Sequence, residues 1–285
     1  MINKTAVVTG ANSGIGKITT HALLEEGYRV VMICRNPDKA EAARKEITED
    51  TGNDRADILI YDLSEMAQIR ETASEIRDKY DRLDRLVNNA GLISDGDRKE
   101  TPEGIELTFA INHLAYFFLT KELMPPLIDT PQSRIINVAS NAHRYGKFDP
   151  DNIQLEKRYS ASKAYGNSKL FNIMFTHHLN KKLEGHDITT YSLHPGVVNT
   201  NFAAESNSWF AKFFNLGRFF MKSPQQGAQT VIYLCIEPGI EKLSGRYFIK
   251  SKPAKPSVAA ATDDDACRRL WEMSKEMVQI NLKEG

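Results

Sequence analysis

Short apolar segments rich in β-branched residues alternate with helical segments over about the first 250 residues of the chain. Most of the apolar segments are continuous, which is typical of strands covered on both faces of a sheet. The predicted strands are Thr5–Thr9, Arg29–Cys34, Asp57–Tyr61, Arg85–Asn88, Arg134–Ala139, Ile188–Leu193 and Arg246–Ile249. The predicted helices are Gly16–Glu26, Asp38–Asp50, Ser64–Lys79, Thr101–Met124, Ser160–Leu183 and Asp263–Ile280. This alternation predicts an α/β fold with a doubly wound parallel sheet of about seven strands and helices on both faces.

The composition limits the classes of function. No linker, repeat or low-complexity tract interrupts the pattern, so we predict a single domain over residues 1–285. The 37 Lys and Arg residues balance the 37 Asp and Glu residues, which argues against nucleic acid as a partner. Cys34, Cys235 and Cys267 are widely spaced and predict buried thiols in a reducing compartment, with no metal site. No apolar stretch approaches the ~20 residues of a membrane span, so we expect a cytoplasmic protein.

A glycine-rich turn follows the first predicted strand and leads directly into a helix. Such a turn presents free N–H groups and the positive end of the helix dipole to phosphate groups. Glycine is required where the backbone approaches a pyrophosphate closely. Placement after the first strand favours dinucleotide binding over an ordinary tight turn. The predicted contacts are Gly10, Asn12, Ser13, Gly14, Ile15 and Gly16.

The ends of the next strands predict which dinucleotide binds. The second strand ends in Cys34-Arg35-Asn36 without a carboxylate for the ribose 2′-hydroxyl, whereas Arg35 suits a 2′-phosphate. We therefore expect NADP(H) in preference to NAD(H). Asp62 can accept from the adenine amino group, and the small Asn-Ala-Gly run allows the cofactor to pack against backbone. The predicted contacts at these two strand ends are Asp62, Leu63, Asn89, Ala90 and Gly91.

The sixth predicted strand ends in a Pro-Gly turn that is followed by a threonine. The backbone of this turn and the threonine hydroxyl can hold the carboxamide of a nicotinamide. An isolated Pro-Gly pair would otherwise indicate only a turn. The predicted contacts are Pro195, Gly196, Val198 and Thr200.

Tyr165 and Lys169 form a predicted acid/base pair. Hydride transfer to a carbonyl needs a proton donor at the oxygen, and a tyrosine does this well when a nearby cation favours its phenolate. The two residues are four apart in a helical segment and therefore share one face. Ser140 follows the fifth strand and can polarise the substrate oxygen. Asn112, within the predicted helix Thr101–Met124, can break or widen that helix and bind a water that links Lys169 to solvent.

A second Tyr-x-x-x-Lys pair lies six residues earlier, at Tyr159 and Lys163. Spacing alone does not separate the two pairs. The apolar helical pattern continues past Lys169, whereas Tyr159 lies where the helix is only beginning. Helix continuity therefore favours Tyr165.

An ordered set of motifs resembles the short-chain dehydrogenase/reductase family along essentially the whole chain. In chain order the motifs are Thr-Gly-x-x-x-Gly-x-Gly, Asn-Asn-Ala-Gly, Asn112, Ser140, Tyr-x-x-x-Lys and Pro-Gly. The stretches Asn112-His113-Leu114 and Ser168-Lys169-Leu170 are most similar to its retinol dehydrogenase-like branch. The resemblance implies a Rossmann-type fold, a catalytic set of Asn112, Ser140, Tyr165 and Lys169, and NADP(H) beside Arg35. It selects Tyr165 over Tyr159, and by analogy it implies a homo-oligomer.

Two departures from the branch bear on what the resemblance implies. Ala139 precedes Ser140 where the branch often has two serines, although the second serine is retained. We also expect the chain to differ from several vertebrate members in lacking their anchoring N-terminal segment, which weakens the transfer of membrane location and of a retinoid substrate.

The predicted domain divides into a cofactor half of about 1–133, a catalytic and substrate half of about 134–250, and a C-terminal loop and helix of 251–285. A lid at 203–222 lies in the second half. Aromatic residues are dense in 207–221, which suits a lipophilic aldehyde, ketone or alcohol. The same pattern is compatible with peripheral membrane contact, with a dimer interface or with ordinary core.

Two other functions compete with reduction of a lipophilic carbonyl. A catalytically silent NADP(H)-binding regulator or scaffold would not need all four residues of the catalytic set. An epimerase or dehydratase acting on nucleotide-sugars would be expected to carry a larger C-terminal substrate domain.

Overall fold

The computed structural model describes residues 4–94, 96–196 and 224–281, apart from the side chains of 224, 280 and 281. Val198 and Thr200 therefore lie outside the described residues. The same holds for the predicted lid at 203–222 and for the aromatic segment 207–221.

A single sheet forms the centre of the fold, in the strand order β3-β2-β1-β4-β5-β6-β7-β8. The strands are β1 Thr5–Thr9, β2 Arg29–Cys34, β3 Ala56–Ile60, β4 Arg85–Asn88, β5 Ser133–Val138, β6 Ile188–His194, β7 Tyr247–Ile249 and β8 Lys252–Ala254. Neighbouring strands from β3 through β7 pair in parallel. The predicted doubly wound architecture is confirmed, and the strand bounds differ from prediction by at most one residue.

An eighth strand within the described ranges was not predicted. β8 pairs antiparallel with β7, with Tyr247 opposite Ala254. The connecting residues Lys250 and Ser251 have φ values of 51° and 58°, the left-handed region that a two-residue hairpin requires. Pro253 is compatible with this strand because β8 is at the edge of the sheet.

Helices cover both faces of the sheet. Their bounds are α1 Gly14–Glu25, α2 Pro37–Thr51, α3 Met66–Lys79, α4 Leu107–Phe109, α5 Ala115–Glu122, α6 Met124–Asp129, α7 Ala161–Lys182, α8 Pro224–Ile236 and α9 Asp264–Asn281. Successive residues of β1 point to opposite faces, so Val7 packs into the core formed with α3, α5, α7 and α9. Val8 packs into the core formed with α1, α2 and α8.

The helix predicted over Thr101–Met124 begins later, at Leu107, so the predicted start was wrong. The Glu106 carboxylate accepts hydrogen bonds from the backbone N–H groups of Thr108 and Phe109 and so caps the helix at this position. Residues Ala110–Leu114 then form a π-helical turn before α5. The expectation that the helix widens around Asn112 is confirmed.

The strand order reverses between β1 and β4. Chain connections run outward from β1 through β2 and β3, and outward in the other direction from β4. Loops that leave the carboxyl ends of β1 and β4 diverge at such a point and leave a crevice where ligands of doubly wound sheets bind. Most of the predicted cofactor residues, and Ser140 of the catalytic set, follow strands that end at this edge of the sheet.

Candidate active site

The glycine-rich turn after β1 has the backbone geometry that the sequence predicts. Gly10 and Gly14 have φ values of 64° and 52°, and α1 begins at Gly14 with Ser13 as its N-cap. A Cβ on Gly16 would collide with the Gly10 carbonyl group and lie 2.7 Å from Asn89 Nδ2. Glycine at these positions therefore allows α1 to start close to the end of β1, with its first N–H groups presented as an anion site requires.

Polar side chains fix this turn to the loop after β4. The Thr9 hydroxyl accepts hydrogen bonds from the backbone N–H groups of Asn89 and Ala90, each at 2.8 Å. Asn89 Nδ2 in turn donates to the Thr9 carbonyl at 2.8 Å. The structure thus brings together the two segments that the sequence assigned to the cofactor.

Arg35 follows β2 directly and is exposed. Asp62 follows β3, and its carboxylate accepts from the Ser64 N–H at 2.9 Å and from the Ser64 hydroxyl at 2.7 Å. The Leu63 side chain packs into the hydrophobic core, so only its backbone faces the turn. Arg35 and Asp62 lie after neighbouring strands, since β2 pairs with β3.

Tyr165 and Lys169 lie on one face of α7, with Lys169 Nζ 5.6 Å from the centroid of the Tyr165 ring. Ser140 lies two residues after the end of β5, and its side chain hydrogen-bonds to Tyr165. Lys169 Nζ donates to the Val138 carbonyl at 3.1 Å. The carboxyl end of β5 therefore meets the predicted acid/base pair.

Asn112 connects the π-helical turn to α7 and to the loop after β4. Its side chain accepts from the Leu92 N–H at 2.8 Å and donates to the Leu92 carbonyl at 2.9 Å. Asn112 Nδ2 also donates to Ser168 Oγ at 3.0 Å, next to Lys169 in the sequence. A Cβ on Gly91 would lie 3.0 Å from Asn112 Oδ1 and 3.5 Å from Lys169 Nζ, so glycine allows these groups to approach.

Burial dominates the titration of the pair. Burial raises the pKa of Tyr165 to about 12, and the Ser140 hydrogen bond opposes this rise. Burial lowers the pKa of Lys169 to about 7. Without a bound ligand, burial therefore outweighs the predicted lowering of the Tyr165 pKa by Lys169. The pKa of Lys169 itself is close to neutral pH.

The alternative pair at Tyr159 and Lys163 is placed differently. Tyr159 precedes α7, and its hydroxyl donates to Glu106 Oε1 at 3.3 Å. Lys163 is exposed and its Nζ donates to the Arg158 carbonyl at 3.5 Å. This pair does not share the contacts of Tyr165 and Lys169 with the end of β5.

Pro195 and Gly196 follow β6 and line a cavity of about 260 Å³ together with Asn141 and His194. His194 Nδ1 accepts from the Asn141 N–H at 3.2 Å, which fixes the ends of β5 and β6 to each other. The Pro-Gly turn thus lies beside the residues that follow Ser140, while Val198 and Thr200 are outside the described residues.

Comparison with known proteins identifies the family. A family model for short chain dehydrogenases matches residues 4–211. The chain belongs to the short-chain dehydrogenase family. Retinol dehydrogenase 11 of Homo sapiens is 41% identical over 279 residues, which cover 98% of this chain and 87% of that protein. Dehydrogenase/reductase SDR family member 13 of Bos taurus is 38% identical, with 97% of this chain and 74% of that protein covered. These relatives support the predicted retinol dehydrogenase-like branch.

Solved structures of other proteins share the fold. An uncharacterized protein of Mycobacterium paratuberculosis is 26% identical with a TM-score of 0.77, and the match covers 98% of this chain and 94% of that one. The RhlG–NADP active-site complex of Pseudomonas aeruginosa is 25% identical with a TM-score of 0.68, covering 86% and 93%.

This short-chain dehydrogenase has no cluster of potential metal ligands within residues 4–94, 96–196 and 224–281. Cys34, Cys235 and Cys267 are all buried, as predicted, and are free thiols. Burial raises the pKa of Cys34 to about 11 and those of Cys235 and Cys267 to about 12. In the part of the chain that the structure describes, no helix combines the length and the hydropathy of a membrane span.

Sequence reasoning missed one residue beside the predicted acid/base pair. Tyr116 lies on α5, and Lys169 Nζ is over its ring at 5.7 Å from the centroid. A tyrosine in an apolar helix is most often core, so only its spacing of four residues from Asn112 could have indicated this position.

Proposed function

We propose that the chain is an NADP(H)-dependent oxidoreductase that transfers hydride between the dinucleotide and a lipophilic carbonyl or alcohol. The observation that carries this proposal is the convergence of Tyr165, Lys169 and Ser140 where β5 ends. A protein that only bound the dinucleotide would not require this arrangement.

The side chains have distinct proposed roles. Tyr165 donates its phenol proton to the carbonyl oxygen during reduction and removes the hydroxyl proton during oxidation. Ser140, already hydrogen-bonded to Tyr165, polarises the same substrate oxygen. Lys169 favours the phenolate and binds the nicotinamide ribose, and Asn112 holds a water of the proton relay. The bound dinucleotide supplies or accepts the hydride.

The turn after β1 fits a dinucleotide because glycine at position 16 lets the start of α1 pack closely against the Gly10 carbonyl and Asn89, so that the first N–H groups of the helix can face a pyrophosphate. Exposed Arg35 suits a 2′-phosphate, and β2 ends without a carboxylate that would favour NAD(H). The NADP named for the 25% identical RhlG complex supports the same preference. The proposed cofactor contacts are Gly10, Asn12, Ser13, Gly14, Ile15, Gly16, Arg35, Asp62, Leu63, Asn89, Ala90, Gly91, Tyr165, Lys169, Pro195, Gly196, Val198 and Thr200. Most of these proposed contacts lie in the cofactor half of about 1–133, and the last six lie in the catalytic and substrate half of about 134–250.

The substrate class is proposed from the relatives and from composition. Several relatives at 38–41% identity are named retinol dehydrogenases, which suggests a retinal-like aldehyde or ketone. The aromatic residues of 207–221 agree with a lipophilic substrate and with peripheral membrane contact. We further propose a cytoplasmic homo-oligomer.

A panel of aldehydes, ketones and alcohols tested with NADPH and NADH examines this proposal. We expect reduction of apolar aldehydes with NADPH preferred, and turnover of polar sugars without any apolar carbonyl would contradict the substrate class. Tyr165→Phe removes the acid/base hydroxyl and should abolish turnover while NADPH affinity stays nearly unchanged. Tyr159→Phe is the matched control and should remain active, and exchanged behaviour of the two variants would overturn the assignment.

A further inference from the structure

The ammonium group of Lys169 is buried against two aromatic rings. The residue is 2% exposed, and its Nζ lies over the rings of Tyr165 and Tyr116 at 5.6 and 5.7 Å from their centroids. Its hydrogen-bond acceptor is the Val138 carbonyl. A charged amine in such a place needs compensation for the water that it loses.

Little in the surroundings of Lys169 provides that compensation by formal charge. From α7 it faces Tyr165, from α5 it faces Tyr116, and from β5 it faces a neutral carbonyl. The nearby Asn112 is also neutral. Over the described ranges no carboxylate forms an ion pair with Lys169, and burial alone lowers its pKa to about 7. Apart from the Val138 carbonyl oxygen, the faces of these two aromatic rings are therefore the negative potential around this cation.

Tyr116 is well suited to act through its ring. It is 1% exposed, and its hydroxyl has no hydrogen-bond partner among the described residues. Burial, and to a lesser extent the neighbouring Tyr165, raises the pKa of Tyr116 well above its usual value, so it stays a neutral phenol. Tyr165 must change its own protonation during the reaction, whereas Tyr116 offers an unchanging ring face.

We propose that Tyr116 is a positioning residue of the acid/base pair, whose ring binds the Lys169 ammonium by a cation–π contact and keeps it charged beside Tyr165. Its importance for turnover rests on the proposed function, but the contact itself does not. A desolvated cation–π contact favours the charged amine, so its loss should lower the Lys169 titration midpoint by about 0.5–1.5 pH units.

Lysine Cε NMR titration of the full-length protein tests the contact directly, with the Lys169 signal assigned from Lys169→Met. Tyr116→Leu removes the ring and should lower the midpoint, whereas Tyr116→Phe keeps the ring and should leave it in place. Phe117→Leu is the matched control, because Phe117 is a neighbouring buried ring that packs on Phe175 and Trp271 instead. Tyr116→Met, which fills more of the ring's volume, replaces the leucine variant if that variant does not fold.

The outcomes separate the ring from the hydroxyl. A Tyr116→Leu midpoint equal to that of the native protein overturns the proposal. An equal shift in Tyr116→Phe and Tyr116→Leu assigns the effect to the hydroxyl and also overturns it. A shift in Tyr116→Leu alone supports it.

The pH profile of carbonyl reduction links the contact to the reaction. Reduction requires both Tyr165 and Lys169 to be protonated, so a less basic Lys169 should move the high-pH limb to lower pH in Tyr116→Leu but not in Phe117→Leu. A shifted NMR midpoint with an unshifted profile would overturn the catalytic part of the proposal. Because the NMR titration needs no turnover, failure of the proposed oxidoreductase activity would be recognised separately.

Discussion

Replacement of Lys169 by methionine isolates the electrostatic part of the proposed mechanism. Lys169 Nζ lies 5.6 Å from the centre of the Tyr165 ring, over which a phenolate charge is delocalised. At this separation and an effective dielectric constant of about 20, the attraction is about 3 kcal/mol, or about 100-fold in the phenolate population. Burial of Tyr165, which raises its pKa to about 12, makes this contribution necessary near neutral pH.

The two residues titrate as a pair, which determines the shape of the pH profile. With a Lys169 pKa of about 7, the native rate of alcohol oxidation should rise with pH up to about 7 and then level off, because further phenolate forms only as the ammonium is lost. In Lys169→Met, position 169 has no ammonium group to deprotonate, so the rate of alcohol oxidation should continue to rise above pH 7. The deficit should be roughly 50- to 100-fold at pH 7 and should shrink to about two-fold or less by about pH 9.

The assay is kcat for alcohol oxidation at saturating NADP+, so that weaker cofactor binding does not affect the comparison. A deuterated alcohol verifies that hydride transfer is being measured. Lys169→Arg is the conservative control, since its guanidinium stays charged over this range and should restore part of the rate at pH 7. A Lys169→Met profile parallel to the native one, in a folded protein that binds NADP+, would refute the electrostatic role.

Three further predictions concern the cofactor site and the core. Gly16→Ala should greatly weaken NADPH binding measured by fluorescence, because its Cβ would collide with Gly10; unchanged affinity would contradict the assigned anion site. Arg35→Asp should remove the preference for NADPH over NADH in kcat/KM, because a carboxylate repels a 2′-phosphate and accepts a ribose hydroxyl; an unchanged ratio would refute the cofactor argument. Burial lowers the pKa of His113 to about 3, so its contribution to stability falls as pH drops below the unfolded value of about 6.5, by roughly 2 kcal/mol at pH 5. Chemical denaturation at pH 7 and pH 5 should show a smaller loss for His113→Gln, and an equal loss would contradict this assignment.

Parts of the fold were predictable because local sequence and tertiary structure agree. β4 has its predicted bounds, Arg85–Asn88, because a short apolar run stands between a loop and an Asn-Ala-Gly turn. β8 was not predictable, since it has three residues, contains Pro253 and depends on left-handed Lys250 and Ser251. These conformations are imposed by pairing with β7 rather than by local preference.

The start of the helix before Asn112 was mispredicted for a related reason. Thr101 and the residues after it have the composition of a helix start, but Thr101 N–H instead bonds to the Ile105 carbonyl and Glu106 caps the helix. A glutamate rarely serves as a cap, so the sequence carries little signal for it.

The candidate site was predictable in its members but not in its electrostatics. Spacing put Tyr165 and Lys169 on one helix face, and the structure does place Lys169 Nζ over the Tyr165 ring. The shift of the Lys169 pKa depends on how completely the surrounding elements exclude water, which no local pattern encodes. Tyr116 was missed because its role depends on a contact between α5 and α7.

The hydrogen bonds that Thr9 and Asn89 make between the turn after β1 and the loop after β4 have a thermodynamic consequence for ligand capture. Fixing the backbone of a flexible loop costs roughly 1–2 kcal/mol per residue in conformational entropy. Here that ordering is completed when the chain folds, so an arriving pyrophosphate meets a preorganised anion site. Loosening either side chain would transfer the entropic cost from folding to the association step.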